Sequence, residues 1–124
     1  MGHLPEPFGV SYTVDDVESA RRFYEGIYSH DSVLEGVFAG IRYVGIMRDG
    51  ENQVTLFEGG EGNPLARTIP TLKVDCVPAY VGKVKELGGS VLIPTNTCPC
   101  TGARFAVCVD TSGNQFMVKE PRAS

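Results

Sequence analysis

The chain has 124 residues, of which 42% are hydrophobic and 21% charged, and its formal net charge is −4. This composition is typical of a globular protein, and the length favours a single domain spanning residues 1–124. The acidic balance, with no stripe of basic residues, excludes an extended nucleic-acid-binding surface. The sequence contains no run of roughly 20 apolar residues and no secretory signal, so we expect a soluble cytoplasmic protein without a membrane partner.

The first half of the chain predicts a strand, a helix and three further strands. Residues 8–14 alternate as a strand, and Asp15 or Asp16 then stands where a helix N-cap is expected. Apolar residues recur at helical spacing after it, namely Val17, Ala20, Tyr24 and Ile27, with Phe23 beside them. Three strands are predicted over about 33–38, 41–48 and 53–58. Asp49-Gly50, between the last two, indicates a hairpin turn.

The second half predicts the same order of elements. A strand at 71–74 precedes Asp75, the expected N-cap of a helix that ends at Gly88-Gly89. The apolar residues of this helix are Val77, Val81, Val84 and Leu87. A short strand at 91–93, a loop at 94–102 and strands at 103–109 and 115–119 follow. Ser112-Gly113 provides the last hairpin turn.

Matching segments show that the two halves are copies of one module. GNQFMVKE at 113–120 matches ENQVTLFE at 51–58 with an offset of 62, and the segments around 72–77 and 12–17 match with an offset of 60. The chain therefore divides into module 1 at about 8–58 and module 2 at about 68–120. Each module reads βαβββ, and two copies favour a paired-module domain over a longer repeat array.

Three short motifs add a family resemblance to this duplicated order. They are Val14-Asp15-Asp16 followed by Phe23-Tyr24, Lys85-Glu86-Leu87-Gly88-Gly89, and Asp110-Thr111-Ser112-Gly113-Asn114. Together they resemble the vicinal oxygen chelate superfamily, which includes glyoxalase I, extradiol dioxygenases and bleomycin-resistance proteins. The resemblance implies an α+β fold in which two βαβββ modules form a curled mixed sheet around a cavity, and a homodimer. It also implies a divalent metal that acts as a Lewis acid on vicinal substrate oxygens.

The positions that the resemblance assigns to metal ligands hold unsuitable residues. These positions are Gly9, Thr55, Ile69 and Met117. None is a credible ligand for Mg, Mn, Fe or Zn, so neither a metal nor another cofactor is predicted. Glu58 and Glu120 lie three positions beyond Thr55 and Met117, which directs them to the opposite face of a regular strand. Only a β-bulge would place the Glu58 and Glu120 side chains on the same face as Thr55 and Met117.

Strand alternation separates an apolar face from a mixed one. The residues predicted to lie under the helices are Val10, Tyr12, Val14, Val54, Leu56, Leu72, Val74, Phe116 and Val118. The opposite face, called here the ligand face, holds polar groups among apolar ones, as a small-molecule pocket does. The predicted ligand-binding residues are Ser11, Thr13, Tyr43, Gln53, Thr55, Phe57, Lys73, Gln115, Met117 and Lys119, with Thr71 on the same face. The alternative is that this face is partly hydrated or covered by a dimer partner.

Several side chains keep two interpretations. Lys73 and Lys119 are the fixed charges on the ligand face, each suited to act as a base or to bind an anion. Tyr43 and its repeat mate Phe105 would stack on a flat ligand or belong to the core. The orientation of another repeat pair, Arg42 and Arg104, stays open.

The cysteines and histidines give no clear site. Cys98-Pro99-Cys100 lacks the Cys-x-x-Cys spacing of zinc or thioredoxin-like sites, so these are small thiols or an unusual redox or metal pair. His3 precedes the first strand and His30 follows the first helix, where surface positions are expected.

Three functions remain. The first is a metal-free binder of a small organic ligand or drug, as the resistance proteins of the superfamily are. The second is a metal-dependent lyase, isomerase or dioxygenase that uses non-standard ligands. The third is a non-catalytic interaction domain. No catalytic residue can be named.

Overall fold

The computed structural model describes residues 5–98 and 101–121. Its elements in chain order are β1 (Glu6–Val14), α1 (Val17–Ile27), β2 (Ser32–Phe38), β3 (Ile41–Arg48), β4 (Glu51–Glu58), β5 (Thr68–Lys73), α2 (Val77–Glu86), β6 (Ser90–Thr97), β7 (Arg104–Val109) and β8 (Gln115–Lys119). The predicted α+β class and the repeated βαβββ order are confirmed. The described helices are too short and too polar to cross a membrane.

The chain forms two compact units. The first unit spans Gly9–Ile69, and the second combines the residues up to Phe8 with those from Pro70 onward. The first unit continues beyond residue 58 to Ile69, and the start of β1 belongs to the second unit. That residues 1–124 act as one domain stays a prediction.

The first unit is a four-stranded mixed sheet covered by α1. Its strand order is β2-β3-β4-β1, with β1 and β4 parallel and the other neighbours antiparallel. The core lies between the sheet and the helix and contains Val17, Val44, Ile46, Val54 and Leu56, all at most 2% exposed. Burial of each such side chain stabilises the fold by roughly 1.5–3 kcal/mol.

The second unit repeats this arrangement. Its strand order is β5-β8-β7-β6, with β5 parallel to β8. Its core lies under α2 and contains Val74, Val77, Val84, Ala106, Cys108 and Val118. All nine residues predicted to lie under the helices belong to these two cores or pack against them. The predicted division of each sheet into two faces is therefore confirmed.

Some predictions about the helices and strands are wrong. Ile27 and Leu87 were expected on the apolar faces of their helices, but they are 63% and 70% exposed. Ile27 is the last residue of α1 and Leu87 is the C-cap of α2, so both lie at the C-terminal ends of their helices. The strand expected at 91–93 extends over Ser90–Thr97 and includes Pro94. Proline is tolerated there because β6 is the edge strand of its unit.

The two helices begin differently. The N-cap of α1 is Asp16, whose Oδ1 accepts a hydrogen bond from the backbone N–H of Ser19 at 3.1 Å, as predicted. The N-cap of α2 is Cys76 and not Asp75, and Cys76 makes no capping bond. Glu120 supplies it instead, because its Oε2 accepts from the backbone N–H of Val77 at 2.8 Å.

Candidate functional site

The ligand face of the first unit is largely buried. Ser11 of β1 lies beside Thr55 of the parallel strand β4, and Ser11 is 2% exposed. Tyr43 and Phe57 are register partners on β3 and β4, each 4% exposed, with ring centroids 6.2 Å apart. Gly36 makes room for the Tyr43 ring, because a Cβ at Gly36 would lie 2.7 Å from the Tyr43 hydroxyl. The Tyr43 ring is therefore packed closely against the backbone of Gly36.

An irregularity in β4 adds a residue that strand alternation did not reveal. The register of β3 and β4 shifts between Ile46 and Met47, opposite Asn52. As a result the Asn52 side chain turns toward Thr55, and its Nδ2 donates a hydrogen bond to Thr55 Oγ1 at 2.9 Å. Such a bulge redirects a side chain without changing the strand order.

The four positions that the superfamily uses for metal ligands do not fit a divalent cation. Gly9 has a φ of +83°, and an added Cβ would lie 3.1 Å from two carbonyl oxygens of β4. Ile69 is fully buried and apolar, and Met117 offers only a thioether. Thr55 has an oxygen, but it already accepts a hydrogen bond from Asn52. Across the described residues, no three His, Cys, Asp or Glu side chains cluster as a metal site would require.

The two glutamates that a bulge would bring inward lie on the helix-covered face, as predicted. Thr55, Leu56 and Phe57 pair in regular register with β3, and β8 pairs regularly with β7 up to Lys119. Glu120 binds the N-terminus of α2 and also accepts from Arg104 Nε at 2.9 Å. The Glu120 side chain is only 14% exposed, so this residue does not simply end its strand in solvent. Glu58, at 47%, does reach solvent.

Arg42 and Arg104 also lie on the helix-covered face. Arg42 is hydrogen bonded to Glu18 of α1 and to Glu35 of β2, the latter at 2.9 Å, and lies 4.0 Å from Glu58. A cavity of about 250 Å³ lies beside this arginine, lined mainly by residues 39–42 and 58–63. Most of its lining residues are glycines or charged residues, unlike the mostly apolar lining of small-molecule pockets.

The ligand face of the second unit carries two neighbouring lysines. Thr71 pairs with Met117, and Lys73 pairs with Lys119, across the parallel strands β5 and β8. Lys119 is 6% exposed, and Thr71 and Met117 are 5% and 6% exposed. Phe105, the register partner of Lys119 on β7, is also 6% exposed. The two lysines end their strands at the same edge of the sheet.

Lys73 has two partners from the start of β1. Its Nζ lies 2.9 Å from Glu6 Oε1 and 4.9 Å from the centroid of the Phe8 ring. Strand alternation directed Phe8 to the same face as Val10, but Phe8 contacts Lys73. The positive φ of Gly9 interrupts the alternation between them. A lone glycine inside an alternating strand was the available signal for this change.

Thr13 of β1 is the register partner of Phe57, and Gln53 and Gln115 lie on β4 and β8. Thr13 donates a hydrogen bond to the carbonyl oxygen of Ala66 at 2.9 Å, while Gln53 and Gln115 are half-buried. His30 lies at the end of α1, near Tyr28 and Glu25. Of the predicted Cys98/Cys100 pair, Cys98 is buried and Cys100 lies outside the described residues, as does His3.

The sequence matches no family model and no curated protein. Among solved structures, the chain is similar to methylmalonyl-CoA epimerase from Mycobacterium tuberculosis, with 15% identity, 99% of this chain and 94% of the other covered, and a TM-score of 0.74. A variant of the Streptomyces coelicolor enzyme, in complex with 2-nitronate-propionyl-CoA, gives 16% identity, coverage of 98% and 97%, and a TM-score of 0.75.

A third similar structure is 2,2',3-trihydroxybiphenyl 1,2-dioxygenase from Sphingomonas wittichii, with 12% identity and a TM-score of 0.72. It matches over 93% of this chain and 42% of its own. Both kinds of enzyme belong to the vicinal oxygen chelate superfamily. At these identities the likeness shows the fold alone, and that fold agrees with the one that the resemblance of the motifs implied.

Proposed function

We propose that this protein binds a small organic ligand on the ligand face of its sheets without the divalent metal of the superfamily. The observation that carries the proposal is the donor set at Gly9, Thr55, Ile69 and Met117, which offers one hydroxyl oxygen and no carboxylate, imidazole or amide. Divalent Mg, Mn, Fe or Zn requires several carboxylate, imidazole or amide donors that converge on one point. Binding would then depend on shape and on a few polar groups.

The residues of the ligand face support this proposal. Hydroxyl, amide and ammonium groups stand among buried aromatic and aliphatic side chains, the composition usual for small-molecule sites. The proposed contacts are Ser11, Thr13, Tyr43, Gln53, Thr55, Phe57, Lys73, Gln115, Met117 and Lys119. Sequestration of a drug or metabolite is the function that such a surface serves without further chemistry.

A second candidate is a metal-dependent enzyme that uses other ligands. It is favoured by the fold shared with the methylmalonyl-CoA epimerases, one of which was solved with methylmalonyl-CoA bound. The third candidate, an interaction domain, requires no small ligand at all. The three candidates differ in measurable properties.

Metal analysis together with a ligand panel distinguishes them. We expect protein purified without chelator to contain far less than one equivalent of Mn, Fe, Co, Ni or Zn, and chelator to leave its melting temperature unchanged. A panel of aromatic, cationic and anionic compounds should include at least one that raises the melting temperature, since a ligand that binds only the folded state stabilises it. One equivalent of metal would contradict the proposal and favour the enzyme. No stabilisation by any compound would favour the interaction domain.

A further inference from the structure

The first residues of β1 are attached to a different unit from the rest of the strand. The boundary between the two units falls between Phe8 and Gly9. The parallel pairing of β1 with β4 begins at Val10, so Glu6–Phe8, called here the strap, precedes this pairing. The strap therefore has its own contacts, and these lie in the second unit.

Gly9 separates the strap from the remainder of β1. Its φ of +83° lies in the left-handed region, which glycine adopts at little cost. A Cβ added at Gly9 would lie 3.1 Å from the carbonyl oxygens of Asn52 and Gln53, so any other residue there would be both strained and crowded. Gly9 thus has the backbone freedom that a hinge requires.

The duplicated module shows that the fold does not require this glycine. At an offset of 60, Gly9 corresponds to Ile69, which lies inside β5 and is fully buried. The first strand of the second module therefore runs through this position with a core side chain. The hinge residue distinguishes the first strand of module 1 from its repeat mate.

The strap contacts Lys73 through two side chains. Glu6 Oε1 lies 2.9 Å from Lys73 Nζ, which is 4.9 Å from the centroid of the Phe8 ring. The side chains of Lys73 and Glu6 are 27% and 36% exposed, and ion pairs that are this exposed add little to stability. Pro7 has no N–H, so it cannot donate to β5, the other neighbour of β1 in the sheet. A half-buried segment held in this way opens more readily than a core strand does.

We infer that the strap is a latch on Lys73, which opens locally about Gly9 and uncovers this lysine on the ligand face. In the closed state Glu6 neutralises the Lys73 ammonium group and Phe8 covers it. In the open state the ammonium group is hydrated and accessible. The strap thereby controls access to one edge of the ligand face. The inference goes beyond the proposed function, because the opening requires no ligand and is measured without one.

Amide hydrogen exchange of the wild type, followed by NMR at low urea concentrations, tests whether the strap opens by itself. We expect the exchange rates of the Glu6 and Phe8 amides to be nearly independent of urea, because a local opening exposes little surface. The amides of β7 should exchange more slowly and should accelerate with urea, because they require global unfolding. The same urea dependence in the strap and in β7 would overturn the inference.

Variants of the latch test its two contacts. Glu6→Gln and Lys73→Met should each accelerate exchange of the Phe8 amide by about threefold, because each removes the ion pair. Phe8→Leu keeps the Glu6 carboxylate, and it should accelerate acetylation of Lys73 by an N-hydroxysuccinimide ester relative to acetylation of Lys85, an exposed lysine of α2. Glu86→Gln, at the exposed end of α2, is the matched control and should change neither rate.

Unchanged strap exchange in Glu6→Gln and Lys73→Met would overturn the latch, and so would unchanged relative acetylation of Lys73 in Phe8→Leu. Circular dichroism checks the folding of each variant. If Lys73→Met does not fold, Glu6→Gln and the urea dependence of the wild type decide.

Discussion

At the scale of single residues, duplication has given equivalent glutamates different roles. Glu58 and Glu120 are repeat mates, yet Glu58 lies 4.0 Å from Arg42 at the surface, while Glu120 closes the N-terminus of α2 and pairs with Arg104. Burial raises the pKa of the Glu120 carboxyl, but the hydrogen bonds from Arg104 and Val77 outweigh it and hold the pKa below its usual range. Glu120 thus replaces the cap that Asp75 was expected to provide.

Glu120→Ala should lower the free energy of unfolding by about 1–3 kcal/mol, because it removes a helix cap and a charged hydrogen bond. Glu58→Ala is the matched control and should change it by less than about 0.5 kcal/mol, as expected of an exposed ion pair. Urea unfolding at neutral pH measures both changes. Equal effects of the two substitutions would contradict the assigned cap.

The same carboxylate predicts a pH dependence. A carboxyl with a lowered folded pKa stabilises the protein above its unfolded pKa, and this contribution is lost as the pH falls through the folded pKa. We therefore expect the difference in stability between wild type and Glu120→Ala to be constant near neutrality and to shrink below about pH 4.5. Urea unfolding midpoints of both proteins from pH 7 to pH 3 measure this difference. A difference that grows in acid would contradict a lowered pKa of Glu120.

At the scale of the elements, two similar hairpin turns differ in how well their sequences suit them. Asp49-Gly50 has φ values of 55° and 79°, and Ala39-Gly40 has 52° and 79°. Two successive positive φ values are typical of type I′ turns, for which Asn-Gly and Asp-Gly are favoured. The sequence predicted the first turn from its Asp-Gly pair, whereas alanine at position 39 gave no such signal.

Ala39→Asn should raise the free energy of unfolding by about 0.5–1 kcal/mol, because asparagine tolerates the left-handed region better than alanine. Ala39→Val, which adds a β-branched side chain at the same exposed position, should lower it. Thermal unfolding of both variants measures the contrast. A Val variant as stable as the Asn variant would show that this backbone conformation is not retained.

At the scale of the whole molecule, the fold is shared with proteins of very different sequence. TM-scores of 0.72 to 0.75 accompany identities of only 12% to 16% with the epimerases and the dioxygenase compared above. A fold of this kind depends on the hydrophobic pattern and on the order of the elements, while function depends on a few side chains placed on it. The resemblance therefore predicts architecture better than chemistry.

The resemblance also predicts a homodimer in solution. We expect a mass of twice the 13.4 kDa of the chain at micromolar concentration. Light scattering coupled to gel filtration measures this mass directly. A mass of one chain across the accessible concentration range would contradict the prediction.

The sequence by itself determined the duplication, the order of the elements and the two faces of each sheet. These features are local, because alternation and helical spacing follow from the geometry of a few neighbouring residues. Only the tertiary structure decided that Glu120 caps α2, that Asn52 reaches Thr55, and that Glu6 and Phe8 meet Lys73. The bulge in β4 and the positive φ of Gly9 break the regular alternation, and the Glu120 and Glu6 contacts join residues far apart in the chain. Neither kind of feature can be read from periodicity, because each depends on how distant strands are aligned.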